Sequence, residues 1–552
     1  MLQIRWLSKS FQIIEKPVSS KLYIYLFLIN MVSNLVSTKL NHDILSVVAI
    51  VSLSAFIAYC ETALFLILRN KWLRRAYAGV VIAIQNILVI VEYFILINFQ
   101  RYIDQDIIDI LGDTNPVESS NFIETYLKPQ TIFLYLAACA LLNVILVIIV
   151  IYIAKVRYRK LMLIISLFGF LTAGYCVFNY AKYRNGRNIP QLTTLTRLGY
   201  SLYCAHNRVI ETNAIRRVCE KLTVRQNIDK KPTIIVIIGE SFSVYHSSLY
   251  GYKKNTNPLL GKREKDGSLF LFDNAVTLQP ATTASMCADF SLDSLGVGYT
   301  TMPMFPACFR KAGYFTAMYD NQYFVGHGIS FLTDAKLSKV LFNYRNSQRY
   351  TYDEDMIKTV QVKEVPSLYV IHLWGQHYTY KDRFPNSFNK FIANEYKSQY
   401  GVGKQQIMAN YDNATLYNDY VVNSILNKFT DDYCIVFYFS DHGEEVYELR
   451  NFMGHGSAMD SPNANYQLRV PLMVWMSPSY KQANPQMCEK LNRAKHYPIC
   501  MDDIGHTLLN VAGITCKGFA PTRSFINDNF NKDRDRIVMN SIDYDKTLLN
   551  KR

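Results

Sequence analysis

The chain is poor in charge. Asp, Glu, Lys and Arg make up 19% of its 552 residues, against roughly 25% in soluble proteins. The shortage is uneven: the long apolar runs precede about residue 180, and most of the charge follows it. No internal repeat or low-complexity tract occurs, which excludes a repeat architecture. None of the 11 cysteines shows CxxC spacing, which excludes the usual thiolate zinc sites. No small-residue cleavage site follows the first apolar segment, so that segment does not read as a signal peptide.

What is present before residue 182 is membrane-like. Crossing a bilayer takes about 20 apolar residues. Five segments qualify as expected spans: Leu22–Ser37, Ile44–Leu68, Tyr77–Phe99, Ile132–Ala154 and Leu161–Ala181. The first is short and carries Asn30 and Asn34. Arg5, Lys9, Lys16 and Lys21 precede the first span. Arg69, Lys71, Arg74 and Arg75 lie between the second and third, and Lys155, Arg157, Arg159 and Lys160 between the fourth and fifth. The intervening loops are poor in Lys and Arg, and the loop from Gln100 to Thr131 is acidic. By the positive-inside rule the N-terminus is cytoplasmic, and everything after Ala181 is exported. The formal charge of +15 then points to anionic membrane lipids, not nucleic acid. An oxidising compartment permits disulfides among the eight exported cysteines. Cys434, opening a buried strand, is expected to stay unpaired.

The expected organisation is a transmembrane domain over 1–181, a linker over 182–231 and a catalytic domain over 232–552. The linker mixes basic residues with Leu, Tyr and Ile. It reads as amphipathic helix along a membrane surface, or as ordinary domain-packing helix. From Pro232 onward, apolar β-branched runs alternate with helical patterns. Strands are expected at Thr233–Ile238, Ser367–Ile371, Cys434–Phe439 and Pro471–Met476. Such continuous runs predict an α/β domain with a mainly parallel central sheet buried on both faces.

The chemistry-bearing residues follow these runs. Glu240 closes Thr233-Ile-Ile-Val-Ile-Ile-Gly239. Thr282 lies in Pro280-Ala-Thr-Thr-Ala-Ser285, and His372 and His377 follow Ser367-Leu-Tyr-Val-Ile371. Asp441 and His442 follow Cys434-Ile-Val-Phe-Tyr-Phe-Ser440, and His455 sits in Met453-Gly-His-Gly456. Open α/β sheets bind ligands at the carboxyl ends of their strands. Carboxylate, imidazole and hydroxyl groups gathered there suit a zinc site with an activated nucleophile. Each has a plainer reading: a capped turn at Glu240, helix N-caps at Thr282 and Thr283, a surface histidine at His455. Their combination in order on one sheet favours chemistry.

Gly239-Glu-Ser-Phe-Ser-Val-Tyr-His-Ser-Ser-Leu-Tyr-Gly-Tyr-Lys-Lys-Asn-Thr-Asn-Pro258 closely resembles the opening motif of the phosphoethanolamine transferases. These belong to the alkaline phosphatase/sulfatase superfamily and include the lipid A enzymes behind mobile colistin (polymyxin) resistance. Tyr438-Phe-Ser-Asp-His-Gly-Glu444 and Val470-Pro-Leu-Met-Val-Trp475 resemble two further blocks, and the family also has five membrane helices. The resemblance implies a sulfatase-like fold in a multi-pass protein of the bacterial inner membrane, with its catalytic domain in the periplasm. It implies one tightly bound zinc, with a second possible during turnover, held by Glu240, Asp441, His442 and a nucleophilic threonine. A serine three residues on selects Thr282 with Ser285; Thr283 is the second choice. His377 and His455 match histidines that serve the substrate or a second metal, with His372 in the same block. Thr114-Asn-Pro-Val-Glu118 resembles a segment that binds the ethanolamine headgroup, or else starts a surface helix.

The implied reaction moves phosphoethanolamine from phosphatidylethanolamine through a phospho-threonine to lipid A, in a monomeric enzyme. Lipopolysaccharide core, another envelope glycan or a protein are alternative acceptors. A glycerophosphate transferase of the lipoteichoic acid type is the alternative activity. A sulfatase reaction is disfavoured, because neither Cys-x-Pro-x-Arg nor Ser-x-Pro-x-Arg occurs. The chain departs from the family at Val244-Tyr245, where members carry a charged pair, and near Pro280 and Ile110. Those departures bear on the headgroup pocket and acceptor.

Overall fold

The computed structural model describes residues 13–40, 44–99, 102–103, 107–108, 111, 116–153, 158–182, 193–293, 302–323, 331–397, 399–456, 463–539 and 542–549. The chain forms two compact units, Met1–Asn207 and Arg208–Arg552.

The first unit is helical: α1 (Lys21–Leu40), α2 (Ile44–Ile67), α3 (Lys71–Phe99), α4 (Pro116–Tyr126), α5 (Pro129–Ile153) and α6 (Arg159–Lys182). Among the described residues, three helical stretches are long and apolar enough to cross a membrane: Val47–Ile67, Lys71–Phe99 and Pro129–Ile153. They coincide with the second, third and fourth expected spans. The first and fifth fall on α1 and α6, which do not reach that measure; the apolar part of α1 is the shorter stretch Lys21–Leu35. The polar residues that interrupt α1 are satisfied internally. Asn30 Nδ2 donates to the Leu26 carbonyl at 2.9 Å, and Asn34 Nδ2 to Ser54 Oγ at 3.1 Å. A Cβ at Gly169 would collide with the Ser52 carbonyl, so glycine lets α6 lie directly against α2. Outward, α5 exposes Phe133, Leu134, Leu136, Leu141 and Val144. Water disfavours such a surface; lipid does not.

The boundary between the units falls within helix α7 (Thr194–Glu220), in the segment read as amphipathic linker. The second unit is built on β1 (Thr233–Gly239), β2 (Leu269–Phe272), β3 (Phe315–Asp320), β4 (Tyr344–Arg345), β5 (Ser367–His372), β6 (Cys434–Ser440) and β9 (Leu472–Met476). A small antiparallel hairpin, β7 (Glu445–Val446) and β8 (Met453–Gly454), stands apart. The main sheet runs in the order β2-β9-β6-β1-β5-β3-β4. It is mixed, and the departure from the mainly parallel expectation is the reversed strand β9. From β6 to β4 neighbours are parallel, but β9 pairs antiparallel with both β6 and β2. A strand buried on both faces has the same apolar composition in either direction, so its run cannot report orientation.

Both faces are covered. Ile234, Val236 and Ile238 enter one core with Phe437 and Val474. Ile235 and Ile237 enter the other, with Val436, Tyr438 and residues Val421 and Ile425 of helix α9 (Val402–Lys428). Each such side chain contributes roughly 1.5–3 kcal/mol on burial. This doubly covered sheet is the rigid base for the residues at its strand ends.

Candidate metal and phosphoryl-transfer site

Register brings the site together. Ile238 is level with His372 and Asp320 with His372, while Gly239 is level with Ser440. Glu240, Asp320, His372, Asp441 and His442 therefore emerge along one edge of the parallel strands. Helix α8 (Thr282–Phe290) brings Thr282 to the same edge. Thr282 is the first helical residue; Ala281 holds the N-cap position without a side-chain cap. The N-cap reading therefore fails for Thr282, whose hydroxyl lies at the positive end of the helix dipole. Ser285 Oγ donates to the Gln279 carbonyl at 2.6 Å and pins the turn that leads into α8.

Four donor groups converge. His442 Nε2 lies 3.3 Å from Glu240 Oε1, 3.1 Å from Asp441 Oδ2 and 3.4 Å from Thr282 Oγ1. Thr282 Oγ1 is 3.4 Å from Glu240 Oε1 and 3.2 Å from Oε2. Tetrahedral ligands at zinc bond lengths sit about 3.3–3.6 Å apart, so the spacing fits one ion. Glu240, Asp441 and His442 are fully buried.

The hydrogen bonding fits an ion too. His442 Nδ1–H donates to the Gly443 carbonyl at 2.9 Å, which leaves Nε2 as the nitrogen that offers a lone pair. Asp441 Oδ1 accepts from the backbone N–H groups of Ser241 (3.1 Å) and His442 (2.7 Å). Its Oδ2 is buried without a hydrogen-bond partner, and faces the other three donors. An orphaned buried carboxylate oxygen costs free energy unless a cation meets it.

The electrostatics agree. Burial and the neighbouring Glu240 push Asp441 up to about 7. Burial would raise Glu240 as well, but bonds from His372 and His442 hold it well below the usual carboxylate range. Against its own burial, His442 is raised to about 10 by Asp441 and Glu240. Two buried carboxylates side by side call for positive charge, which a divalent cation supplies more fully than protons.

Around this centre lie residues the sequence did not single out. Gln322 Nε2 donates to Glu240 Oε2 at 3.0 Å and to the Leu373 carbonyl at 2.8 Å. Asp320 Oδ1 is 3.1 Å from His372 Nδ1, and Arg345 bonds its Oδ2 at 2.9 Å. His372 is fully buried, its Nε2 3.8 Å from Glu240 Oε2, so the structure places it behind Glu240. Glu444 accepts from Tyr380 (2.5 Å) and faces His455 Nδ1 at 2.8 Å. The rings of His455 and His442 are 3.8 Å apart, and His442, Glu444 and His455 form a second set of converging ligand atoms. Glu444 closes the Asp-His-Gly-Glu motif, a signal that was available. Asp320 and Gln322 follow the short run Phe315-Thr-Ala-Met-Tyr319, the same strand-then-polar pattern in weaker form.

His377, half-buried, stands in the turn after β5, its backbone N–H bonded to the Trp374 carbonyl at 3.1 Å. Its charge helps lower Glu240. Glu118 lies on α4 of the first unit; Thr114 is outside the described residues. Backbone geometry adds constraint. Ser241 has φ 56°, and Gly375 (φ +50°) abuts the Glu240 backbone, where a Cβ would approach to 2.9 Å.

This chain is similar to known proteins. It is 32% identical over 334 residues to phosphoethanolamine transferase EptC of Escherichia coli O18:K1:H7 (strain RS218 / NMEC), a match taking in 57% of each chain. It thus spans little more than half the length of that relative. The periplasmic domain of Escherichia coli EptC, solved in complex with Zn, superposes with a TM-score of 0.53 at 27% identity; the match covers 60% of this chain and 97% of that one. The integral membrane lipooligosaccharide phosphoethanolamine transferase A of Neisseria meningitidis shares the fold. There the TM-score is 0.62 at 16% identity, over 92% of this chain and 98% of that one. The resemblance carried by the sequence motifs is therefore met by relatives bearing the same name. Residues 232–514, more than half of the chain, match the Sulfatase family model, and the chain belongs to that family.

Proposed function

We propose that the chain is a membrane-bound, zinc-dependent phosphotransferase. It moves phosphoethanolamine from phosphatidylethanolamine to an envelope glycolipid, with lipid A the leading acceptor. The observation that carries this reading is the convergence of Glu240, Thr282, Asp441 and His442 at tetrahedral spacing, with Asp441 Oδ2 orphaned among them. A hydroxyl among the ligands is what a phosphoryl-transfer nucleophile requires. The zinc-bearing relative supports the choice of ion.

Glu240, Asp441, His442 and Thr282 would hold the zinc. The chemistry the ion supplies there is Lewis acidity, which lowers the pKa of the threonine hydroxyl. Thr282 Oγ1 attacks the phosphorus of the donor phosphodiester. A phosphorus–oxygen bond forms to Thr282, and the bond to diacylglycerol breaks. His455, which faces Glu444 through Nδ1, would give the leaving oxygen its proton, and His377 would steady the phosphoryl oxygens. In the second half, an acceptor phosphate or hydroxyl oxygen attacks the same phosphorus, and Thr282 leaves. Added ethanolamine masks negative charge on lipid A, which is why that acceptor leads. His372 and Gln322 fix Glu240.

The helical part would cross the bacterial inner membrane five times over residues 1–181, with α1 and α6 as the outer crossings and 182–231 at the membrane surface. The catalytic domain would lie in the periplasm. Thr114 and Glu118 would take the donor ammonium.

Mass spectrometry of envelope glycolipids tests the reading. Cells with the intact chain should gain phosphoethanolamine on lipid A, and cells with Thr282→Ala should not. Unmodified lipid A together with no diacylglycerol release would overturn it.

A further inference from the structure

The second unit also holds an open cavity of about 480 Å³ whose lining includes none of the four converging donors. Its lining includes the tyrosines Tyr396, Tyr400 and Tyr447, the amides Gln399 and Gln405, and Lys397; Glu448 completes it. Sites for small organic ligands run to roughly 300–1,000 Å³. Three aromatic rings beside an acid first evoke a cage for an organic ammonium, but the partners argue otherwise. Lys254 Nζ already lies 4.3 Å from the Tyr396 ring centre. Lys404 Nζ lies 4.5 Å from that of Tyr447 and donates to its hydroxyl at 2.8 Å. Glu448 Oε1 faces His246 Nε2 at 2.7 Å, and its Oε2 accepts the Val446 N–H at 2.5 Å. The acid is thus committed to the protein, and two rings already face cations.

The Tyr396 hydroxyl donates to Asp412, and Gln399 Nε2 donates to the Tyr400 hydroxyl at 2.6 Å, so what the cavity offers a ligand is tyrosine rings, the Gln405 carboxamide and the Lys397 ammonium. That set matches a ring rich in hydroxyls with an anionic substituent. The rings take its apolar face, the carboxamide its hydroxyls and the lysine its charge.

The cavity is tied to the candidate site by one hairpin. Tyr447 and Glu448 follow β7, which pairs with β8 through Glu445↔Gly454 and Val446↔Met453. The residue before β7 is Glu444, and the residue after β8 is His455. Tyr447 N–H closes the hairpin on the Phe452 carbonyl at 2.9 Å. Tyr447 is held at φ 65°, a conformation that costs a bulky residue about 1–3 kcal/mol and collects at functional sites. Tyr380, which donates to Glu444, packs in one cluster with Tyr447 and Val446.

We propose that this cavity binds an anionic sugar unit of the acceptor glycan, next along from the unit that receives the transferred group. The proposal rests on the transferase reading for its biological meaning, but not for the binding itself.

Binding to the full-length protein in detergent tests it by saturation-transfer NMR and calorimetry. The probes are N-acetylglucosamine 6-phosphate, N-acetylglucosamine and inorganic phosphate. The sugar phosphate should bind more tightly than either half alone. Lys397→Ala and Tyr400→Ala should each weaken it about fivefold, the loss of one charged hydrogen bond or one ring contact. Lys397 is exposed, so its replacement leaves the core untouched. Diacylglycerol release from phosphatidylethanolamine without acceptor should be unchanged in both variants. Equal binding of phosphate alone, no binding of the sugar phosphate, or variants that bind as the intact chain does would each overturn the cavity. Absence of diacylglycerol release by the intact chain would instead overturn the transferase reading and leave the sugar-binding result to be judged by itself.

Discussion

Gly239 and Ser440 are register partners on adjacent parallel strands, so Glu240 and Asp441 leave the sheet side by side. There they meet a hydroxyl and the Nε2 of His442. The hydroxyl is that of Thr282, and its loss should remove the nucleophile without removing the fold. Thr282→Ala should lower headgroup transfer by at least about a thousandfold, as deletion of a nucleophile does elsewhere. The melting temperature in zinc-saturated buffer should stay within a few degrees. Full transfer by this variant would move the assignment to Thr283.

Metal analysis of the full-length protein should give about one zinc per chain, as for a site with four converging donors. Asp441→Asn should sharply reduce that content, since Oδ2 accepts no hydrogen bond and faces the other donors. Gln322→Ala should weaken zinc binding about 10–100-fold, the range for residues that orient a ligand, because its amide fixes Glu240 Oε2. Zinc content in Asp441→Asn equal to that of the intact chain would place the ion elsewhere.

Gly375→Ala probes the same site from its backbone. The glycine has φ +50°, and a Cβ there would lie 2.9 Å from both the nitrogen and oxygen of Glu240. The methyl group must push Glu240 off its position, and the left-handed backbone adds strain of about 1 kcal/mol. Loss of transfer should therefore exceed loss of stability. A variant with full activity and an unchanged melting temperature would show that the turn has room to yield.

His246 supplies a pH-dependent term away from the candidate metal site. It is fully buried, with Nδ1 2.5 Å from Asp412 and Nε2 2.7 Å from Glu448. Burial lowers its pKa, but Asp412 and Glu448 outweigh that and raise it to about 10. The unfolded value is about 6.5. The histidine therefore contributes its full stability below about pH 6.5, and that contribution is lost as pH rises through about 10. His246→Gln leaves two carboxylates without their cation and should cost about 3–5 kcal/mol near neutral pH. The gap in denaturation midpoint between intact chain and variant should narrow toward pH 10. A gap that stays constant with pH would mean that the histidine is held neutral.

Much of the site was legible because each strand advertises itself locally. Thr233–Gly239 and Cys434–Ser440 are unbroken apolar runs, and the first polar residue after each is a site residue. Thr282 could be chosen over Thr283 only with Ser285 and the family motif in view. The contribution of Asp320 and Gln322 was not legible. Their strand is short and mixed, and their closeness to His372 and Glu240 arises from parallel register between segments some 50 residues or more apart. The reversed direction of β9 was hidden for a related reason: a strand buried on both faces shows a continuous apolar run whichever way it points. Of the five expected crossings, three coincide with helices that are long and apolar enough to span among the described residues; α1 carries Asn30 and Asn34, which lower its hydropathy and are satisfied by internal hydrogen bonds.

Cys308 and Cys516 provide a test of the compartment that the topology implies. Their sulfurs lie 3.7 Å apart as thiols, 208 residues distant in sequence. Cys308 is on the helix Phe305–Lys311, and Cys516 ends the strand Ile514–Cys516. A side-chain rotation brings such a pair to bonding distance, about 2.0 Å. In an exported domain an external thiol oxidant should remove the two electrons and two protons, leaving a disulfide. The chain purified without reductant should resist alkylation at both positions, and peptide mapping should recover the two joined. Reduction should then lower stability by about 2–4 kcal/mol, and Cys516→Ser should abolish that difference. Cys219 is near enough to influence the charge of Cys308, so a Cys219–Cys308 link is the outcome that would reassign the pair. Full alkylation of both Cys308 and Cys516 without reduction would count against oxidation of this domain, and with it against the outward orientation drawn from the positive loops.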